Sequence, residues 1–175
     1  MPLILSNDSR EAQFKRWVSE HGGAVLKVAR AYTRTAEDGQ DLVQEILLQL
    51  WRSAPQFEGC ASEFTWVYRV ALNTALAWRR RERLRRTRHE PSLKELDCLA
   101  AESEAFTPEQ RELVELLYAA IRQLPPAEAA LILLYLDDLS YRQMADVLGI
   151  SESNVGVKLN RAKKALHSLM QDESR

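Results

Sequence analysis

Apolar side chains recur along this chain at intervals of three and four residues, the spacing that buries one face of an α-helix. Residues 11–32 fit one helix or two, with an interruption near Gly22-Gly23. Further amphipathic helices are predicted over residues 41–51, 63–86, 108–124 and 126–139. The expected buried stripes, helix by helix, are Val43, Ile46, Leu47 and Leu50, then Val67, Val70, Ala71, Thr74 and Trp78, then Leu113, Leu116, Leu117, Ala120 and Leu124. The pattern predicts an all-α protein.

The stretch LSYRQMADVLGISESNVGVKLNRAKKALHSL, residues 139–169, predicts two helices joined by a sharp turn. Ser140 and Ser151 are N-cap candidates because a serine hydroxyl accepts a hydrogen bond from an unpaired backbone N–H. Gly149 follows the last apolar residue of the first helix, where a helix end favours positive φ. The buried stripe of the second helix is Val155, Leu159, Ala162 and Leu166. This arrangement is typical of a helix-turn-helix motif.

The opposite face of the second helix carries the chemistry of a major-groove contact. Short polar groups near its N-terminus suit base edges, and Lys or Arg further along suits phosphates. The candidate DNA-binding residues are Ser153, Asn154, Val157, Lys158 and Arg161. The plainer interpretation is a solvated face on an ordinary helical hairpin. The agreement of caps, glycine turn and polarity favours DNA contact.

Between the helical blocks, residues 87–107 are acidic and weakly periodic. Thr107 as cap and Pro108 in a first helical turn restart the helical pattern. The predicted organisation is an N-terminal helical domain (1–86), an acidic linker (87–107) and a C-terminal helix-turn-helix domain (108–175). The fold class is therefore two small helical bundles joined by a flexible linker.

The formal net charge is only −1, but the charges are unevenly distributed. The basic cluster is Arg79, Arg80, Arg81, Arg83, Arg85, Arg86 and Arg88, and the acidic residues of the linker follow directly. A locally basic patch can engage phosphates while the rest of the chain repels them. We expect the free chain to bind DNA weakly and to depend on a partner.

Two helical faces are further candidates for binding. Asp41, Gln44, Glu45 and Leu48 form a polar face with an apolar residue, which suits a partner surface and equally an ordinary helix with a half-covered leucine. On the next helix, arginines interleave with aromatic residues, which can hold phosphates and stack unpaired bases. For the individual aromatics, Trp66, Tyr68 and Trp78, core packing is the preferred interpretation.

Several function classes are disfavoured. Cys60 and Cys98 form neither a disulfide framework nor a metal-binding spacing. The start of the chain does not resemble a signal peptide, and the longest apolar run is far short of the ~20 residues of a membrane span. The sequence indicates no Ser-His-Asp arrangement, no carboxylate pair in a cleft and no phosphate-binding glycine loop. We expect a cytoplasmic protein that is not an enzyme and needs no cofactor or metal.

Three motifs in this order resemble bacterial sigma factors of the extracytoplasmic-function (ECF) group. DLVQEILLQLW resembles the polymerase-binding helix of the family, and FTWVYRVALNTALAWRRR resembles its promoter-melting, minus-10-reading helix. LPPAEAALILLYLDDLSYRQMADVLGISESNVGVKLNRAKKAL resembles its minus-35-reading domain. The resemblance covers nearly the whole chain.

The resemblance implies a role for each candidate residue. Asp41, Gln44, Glu45 and Leu48 would bind the clamp of core RNA polymerase. Arg69, Asn73, Arg79 and Arg80 would contact the minus-10 element, with the loop 56–62 capturing a flipped base. Ser153, Asn154, Val157, Lys158 and Arg161 would contact the minus-35 element. The implied partners are core polymerase, promoter DNA and an anti-sigma factor, and the chain would be a monomer.

The chain departs from the family pattern at Ala77, where an acidic residue is frequent, and at Gly156-Val157, where Lys or Arg and then Ser is frequent. These departures bear on promoter sequence. Two other functions remain open: a helix-turn-helix regulator that binds an operator by itself, and a helical interaction protein whose basic run binds RNA or an acidic partner. The regulator alternative leaves residues 41–88 unexplained.

Overall fold

The computed structural model describes residues 7–86 and 106–173, and within these ranges it contains helices and no strand. The helices are α1 (Asn7–Tyr32), α2 (Ala36–Ser53), α3 (Glu63–Arg86), α4 (Pro108–Gln123), α5 (Pro126–Leu136), α6 (Tyr141–Leu148) and α7 (Glu152–Glu173), and a 3-10 turn (Ala54–Gln56) follows α2. The predicted all-α class is confirmed. Most of the predicted linker, residues 87–105, lies outside the described residues.

Local capping explains where several helices begin. Thr35 accepts a hydrogen bond from the backbone N–H of Asp38 at 3.1 Å, so α2 begins at Ala36 and not at residue 41 as predicted. Thr107 and Ser140 each form a capping box with the glutamine three residues further on, as helices α4 and α6 begin. The predicted caps at Thr107 and Ser140 are confirmed.

The predicted interruption near Gly22-Gly23 is wrong, because α1 is continuous over Asn7–Tyr32. A glycine inside a helix costs only about 1 kcal/mol relative to alanine. Burial of Trp17, Val25 and Val28 on the same helix offsets that cost, since all three are at most 2% exposed.

Some predicted stripes are rotated around their helices. On α2, Leu42 is buried and Val43 is half-buried, because α2 packs against both α1 and α3. On α4, Tyr118 and Ile121 are buried, whereas Leu113 is 57% exposed. Helix α2 packs against α1 and α3, and α4 packs against α1, α5 and α7, so the buried face of each depends on tertiary contacts that periodicity does not identify.

The first half of the molecule (α1–α3) and the second half (α4–α7) pack against each other along what we call the seam. Helix α1 contacts α4 and α5, and α3 contacts α6. The buried side chains of both halves form one continuous apolar cluster. The two predicted bundles are therefore in direct contact in this structure.

Gly149 allows the sharp turn between α6 and α7, with φ of 68° and an N–H bonded to the carbonyl of Ala145 at 2.8 Å. We expect Gly149→Ala to lower the free energy of unfolding by about 1 kcal/mol, because a side chain strains this left-handed backbone. A Cβ there would meet no atom within 4 Å, so the cost comes from the backbone alone. Urea denaturation followed by circular dichroism measures it.

Gly22→Ala is the matched control, because Gly22 also has open space around its Cα but lies within α1 without positive φ. That substitution should raise the free energy of unfolding by about 0.5–1 kcal/mol. Effects of the same sign at both positions would contradict this explanation of the turn.

Candidate nucleic-acid interface

Helix α7 buries one face and exposes the other, as the sequence predicts. Val155, Leu159 and Ala162 are fully buried. The predicted DNA-binding residues are all exposed: Ser153, Asn154, Val157, Lys158 and Arg161. Ser151 accepts a hydrogen bond from the backbone N–H of Asn154 at 3.3 Å, so the cap fixes the end of α7 at which short polar side chains cluster.

Among these exposed residues, Arg161 has a charged partner within the protein, whereas Val157 is an apolar side chain in solvent. The Arg161 side chain is 79% exposed and forms an ion pair with Glu128 of α5 at 3.1 Å. Val157 is 73% exposed, which is unusual for an apolar side chain and leaves its methyl groups open to a partner. The Glu128 side chain is only 14% exposed, whereas the guanidinium of Arg161 stays open to solvent and so to a second anionic partner.

Tyr141 is a candidate nucleic-acid contact that the sequence pattern did not reveal. It is the first residue of α6 and is 47% exposed. Its ring lies against α7 at Gly156, where a Cβ atom on the glycine would be 3.4 Å from the ring Cε2 atom. Gly156 therefore leaves room for an aromatic ring beside the exposed face of α7. The sequence did contain a signal for this contact: an aromatic residue directly after the Ser140 cap, and a glycine, Gly156, within the second helix.

The four residues predicted at the minus-10 element divide into two pairs. Asn73 and Arg80 are exposed on α3. Arg69 instead donates a hydrogen bond to the carbonyl of Asp146 in α6. Arg79 donates to the carbonyls of Arg122 and Leu124 at 3.3 and 3.2 Å. In this structure Arg69 and Arg79 therefore form hydrogen bonds between the first and second halves of the molecule.

The loop between α2 and α3 has a buried anchor and an open tip. Phe57 packs edge-to-face against Trp17 and Trp66, with ring centroids 5.4 and 5.6 Å apart. Gly59, with φ of 74°, and Cys60 are exposed at the tip. The aromatics Trp66 and Trp78 are half-buried and Tyr68 is fully buried, in line with the core interpretation. The loop tip therefore projects from a rigid base.

The predicted partner face of α2 is largely open. Asp41 and Gln44 are exposed, and Leu48 is 45% exposed. Glu45 forms an ion pair with Arg81 of α3 at 2.5 Å, so it is less accessible than its neighbours. Part of the arginine cluster is thus neutralised within the protein.

At the seam, the carboxylate of Asp137 joins both halves. It accepts hydrogen bonds from the Tyr68 hydroxyl at 2.8 Å and from Lys27. Burial, together with the nearby charge of Asp137, raises the pKa of Tyr68, so its hydroxyl remains a donor at neutral pH. The Tyr32 hydroxyl donates to the carbonyl of Pro126 at 2.7 Å, and Arg30 pairs with Glu115. The seam therefore combines apolar packing with hydrogen bonds and ion pairs, some of them buried.

One group of side chains among the described residues has the composition of a metal site. Ligand atoms of Glu20, His21 and Glu63 lie within 4.8 Å of one another. Arg16 already donates to both carboxylate oxygens of Glu63, so a cation occupies the place of a metal. In the part of the chain that the structure describes, no helix has the length and apolar content needed to cross a membrane.

Two family models match the chain at the places where these surfaces lie. Sigma-70 region 2 matches residues 17–85, and Sigma-70 region 4 matches residues 114–166. Together they cover more than two-thirds of the chain. The match to region 2 accounts for the first half, which neither a lone helix-turn-helix regulator nor a general basic interaction protein explains.

Two relatives agree with these matches. The chain is 29% identical over 160 residues to the ECF RNA polymerase sigma-E factor of Escherichia coli, covering 83% of this chain and 81% of that protein. It is 27% identical over 173 residues to the RNA polymerase sigma-H factor of Pseudomonas aeruginosa, covering 90% and 86%.

The fold is similar to the sigma factor RpoE in complex with the anti-sigma factor NepR from Bartonella quintana, with a TM-score of 0.72, 18% identity and coverage of 90% of this chain and 96% of that one. It is also similar to CnrH in complex with the cytosolic domain of CnrY, with a TM-score of 0.62, 22% identity and coverage of 91% and 88%.

The chain therefore belongs to the sigma-70 family of RNA polymerase sigma factors and, within it, to the ECF group. It is a transcription initiation factor and not an enzyme. Its function is to bind core RNA polymerase and direct it to promoters.

Substitution of Asp137 tests the polar contacts of the seam. We expect Asp137→Ala to lower the free energy of unfolding by about 2 kcal/mol, because it leaves the buried Tyr68 hydroxyl without an acceptor. Thermal and urea denaturation measure the change. Asp138→Asn is the control, since Asp138 is exposed and its φ of 56° is one that asparagine tolerates. Equal stability of the two variants would contradict the role of Asp137.

Proposed function

We propose that the exposed face of α7 docks in the major groove of the minus-35 element. Lys158 and Arg161 position the helix on phosphates, while Ser153, Asn154 and Val157 lie against base edges. The observation that carries this proposal is the exposure of all five side chains on one helix whose opposite face is buried. The Val157 methyl groups suit contact with a thymine methyl.

The minus-10 element is assigned to the exposed face of α3 and the adjacent loop. Asn73 and Arg80 are accessible as the structure stands, and the loop 56–62 provides an open tip on a rigid base. Arg69 and Arg79 gain access to DNA when α3 separates from α4 and α6, because both now donate to carbonyls of those neighbours or of the turn after α4. Promoter opening on this scheme requires the seam to open.

Core polymerase is assigned to the open face of α2, where Leu48 lies among Asp41 and Gln44. An apolar side chain within a polar face gives both contact area and orientation to a partner. Glu45 contributes after Arg81 releases it, since the two now form an ion pair.

We also propose that the protein acts in the cytoplasm and that the chain is a monomer.

A further proposed partner is an anti-sigma factor. One similar solved structure is of a sigma factor bound to an anti-sigma factor, and another is of CnrH bound to the cytosolic domain of CnrY. Their folds match with both halves included, since each covers at least 90% of this chain.

Lys158→Ala tests the minus-35 assignment. We expect weaker protection of the minus-35 region in a footprint with core polymerase. The slope of log affinity against log salt concentration should also become shallower by about one, because one phosphate contact is lost. Lys15→Ala is the control, because it removes the same charge from an exposed position of α1, in the other half of the molecule. A footprint that Lys158→Ala leaves unchanged would refute the assignment.

Leu48→Ala tests the polymerase face. We expect several-fold less core polymerase to co-purify, because the substitution removes apolar contact area from an exposed position without disturbing the core. Leu26→Ala on α1 is matched in chemistry and exposure, at 43% against 45% for Leu48. If both variants retain polymerase equally while circular dichroism shows them folded, the surface lies elsewhere.

A further inference from the structure

A cavity of about 380 Å³ lies at the seam. Its walls come from the end of α1 and the turn after it, the start of α2, the later part of α3 and the last turn of α4. Four arginines line it, Arg34, Arg79, Arg83 and Arg122, against two carboxylates, Asp38 and Glu82. The lining is therefore net positive, and its volume lies in the range of small-molecule sites.

Three arginines of this cavity lack the carboxylate partners that several other arginines of the chain have. Each of the following has such a partner: Arg16, Arg30, Arg81, Arg85 and Arg161. Arg34, Arg79 and Arg122 form no ion pair with any carboxylate in residues 7–86 and 106–173. The half-buried Arg79 and Arg122 and the exposed Arg34 thus line one cavity without a full set of counter-charges, an arrangement that an anion would stabilise.

Arg79 shows this deficit most clearly. Its Nη2 donates to two carbonyls, which fixes the guanidinium in place, while its Nη1 is buried and makes no hydrogen bond within the described structure. Burial lowers the pKa of Arg79, and the positive charge of Arg34 lowers it further. An oxyanion nearby would compensate both the burial and the repulsion.

We propose that this cavity binds a small polyphosphate anion, of two or three phosphoryl groups, between Arg34, Arg79 and Arg122. Guanidinium groups match phosphate oxygens in geometry as well as in charge. Because the three arginines come from separate segments, the site suits several linked phosphoryl groups more than a single one. Asp38 and Glu82 limit the net charge and so disfavour a larger polyanion.

Binding there stabilises the packed arrangement of the two halves. Arg34 and Arg79 belong to the first half and Arg122 to the second, so the complete site exists only while the seam is closed. A ligand that binds only one arrangement shifts the equilibrium toward it. The binding itself does not depend on the proposed function, whereas its consequence, a slower release of Arg79 to promoter DNA, rests on it.

Isothermal titration calorimetry of the full chain with inorganic triphosphate tests the site, with sodium chloride used to hold ionic strength constant. We expect saturable binding of one equivalent, weakened about tenfold or more by Arg34→Gln and by Arg122→Gln. Arg142→Gln is the control, because Arg142 is exposed on α6 and lies outside the cavity. It should bind triphosphate as the unsubstituted chain does.

Failure of the unsubstituted chain to bind overturns the proposal, as does an equal loss in the control, which would indicate general attraction of anions. A second titration uses single-stranded oligothymidylate as the source of phosphates. If the oligonucleotide binds more tightly than triphosphate and loses affinity in the same two variants, the site serves nucleic acid and the small-anion proposal is wrong. The free chain is used throughout, so these outcomes are separate from those of the footprint and co-purification experiments.

Discussion

Helix α5 must be surrounded by other helices, and the packing of the whole molecule follows from that requirement. Residues 129–134 are consecutive and all at most 2% exposed, so this part of the helix is covered on every side. A helix that is apolar all round is stable in water only when neighbours surround it. Helices α4, α6 and α7 cover part of α5, and α1 of the first half covers another part. The contact between the halves follows from this need for burial.

The seam also decides which charges are available. Two members of the basic cluster on α3 already have partners within the protein, since Arg81 pairs with Glu45 and Arg79 donates to carbonyls across the seam. Arg69, earlier on the same helix, also donates to a carbonyl across the seam. A chain of net charge −1 therefore presents only a fraction of its arginines to DNA. The weak DNA binding that we expect of the free protein would then have two causes, the occupied donors and the acidic residues that repel phosphate.

The same helices serve the fold and the proposed interfaces, on opposite faces. Helix α7 contributes Val155 and Leu159 to the core and leaves Asn154 and Lys158 in solvent. Sequence periodicity identified this division on α7 because the helix has a wide solvent-facing side. On α3, periodicity identified the polar face. It did not indicate that α6 would cover Arg69, because α6 is distant in sequence.

Features with local causes could be predicted from the amino-acid sequence alone: the caps at Thr107 and Ser140, the glycine turn at Gly149, and the alternation of buried and exposed faces on α7. Each depends on residues within one or two turns of each other. Packing between distant segments, by contrast, determined that Leu42 is buried in preference to Val43, that two halves share one core, and that arginines from both line a common cavity. Helical spacing establishes which residues share a face, but the partner that covers this face comes from a part of the chain far away in sequence.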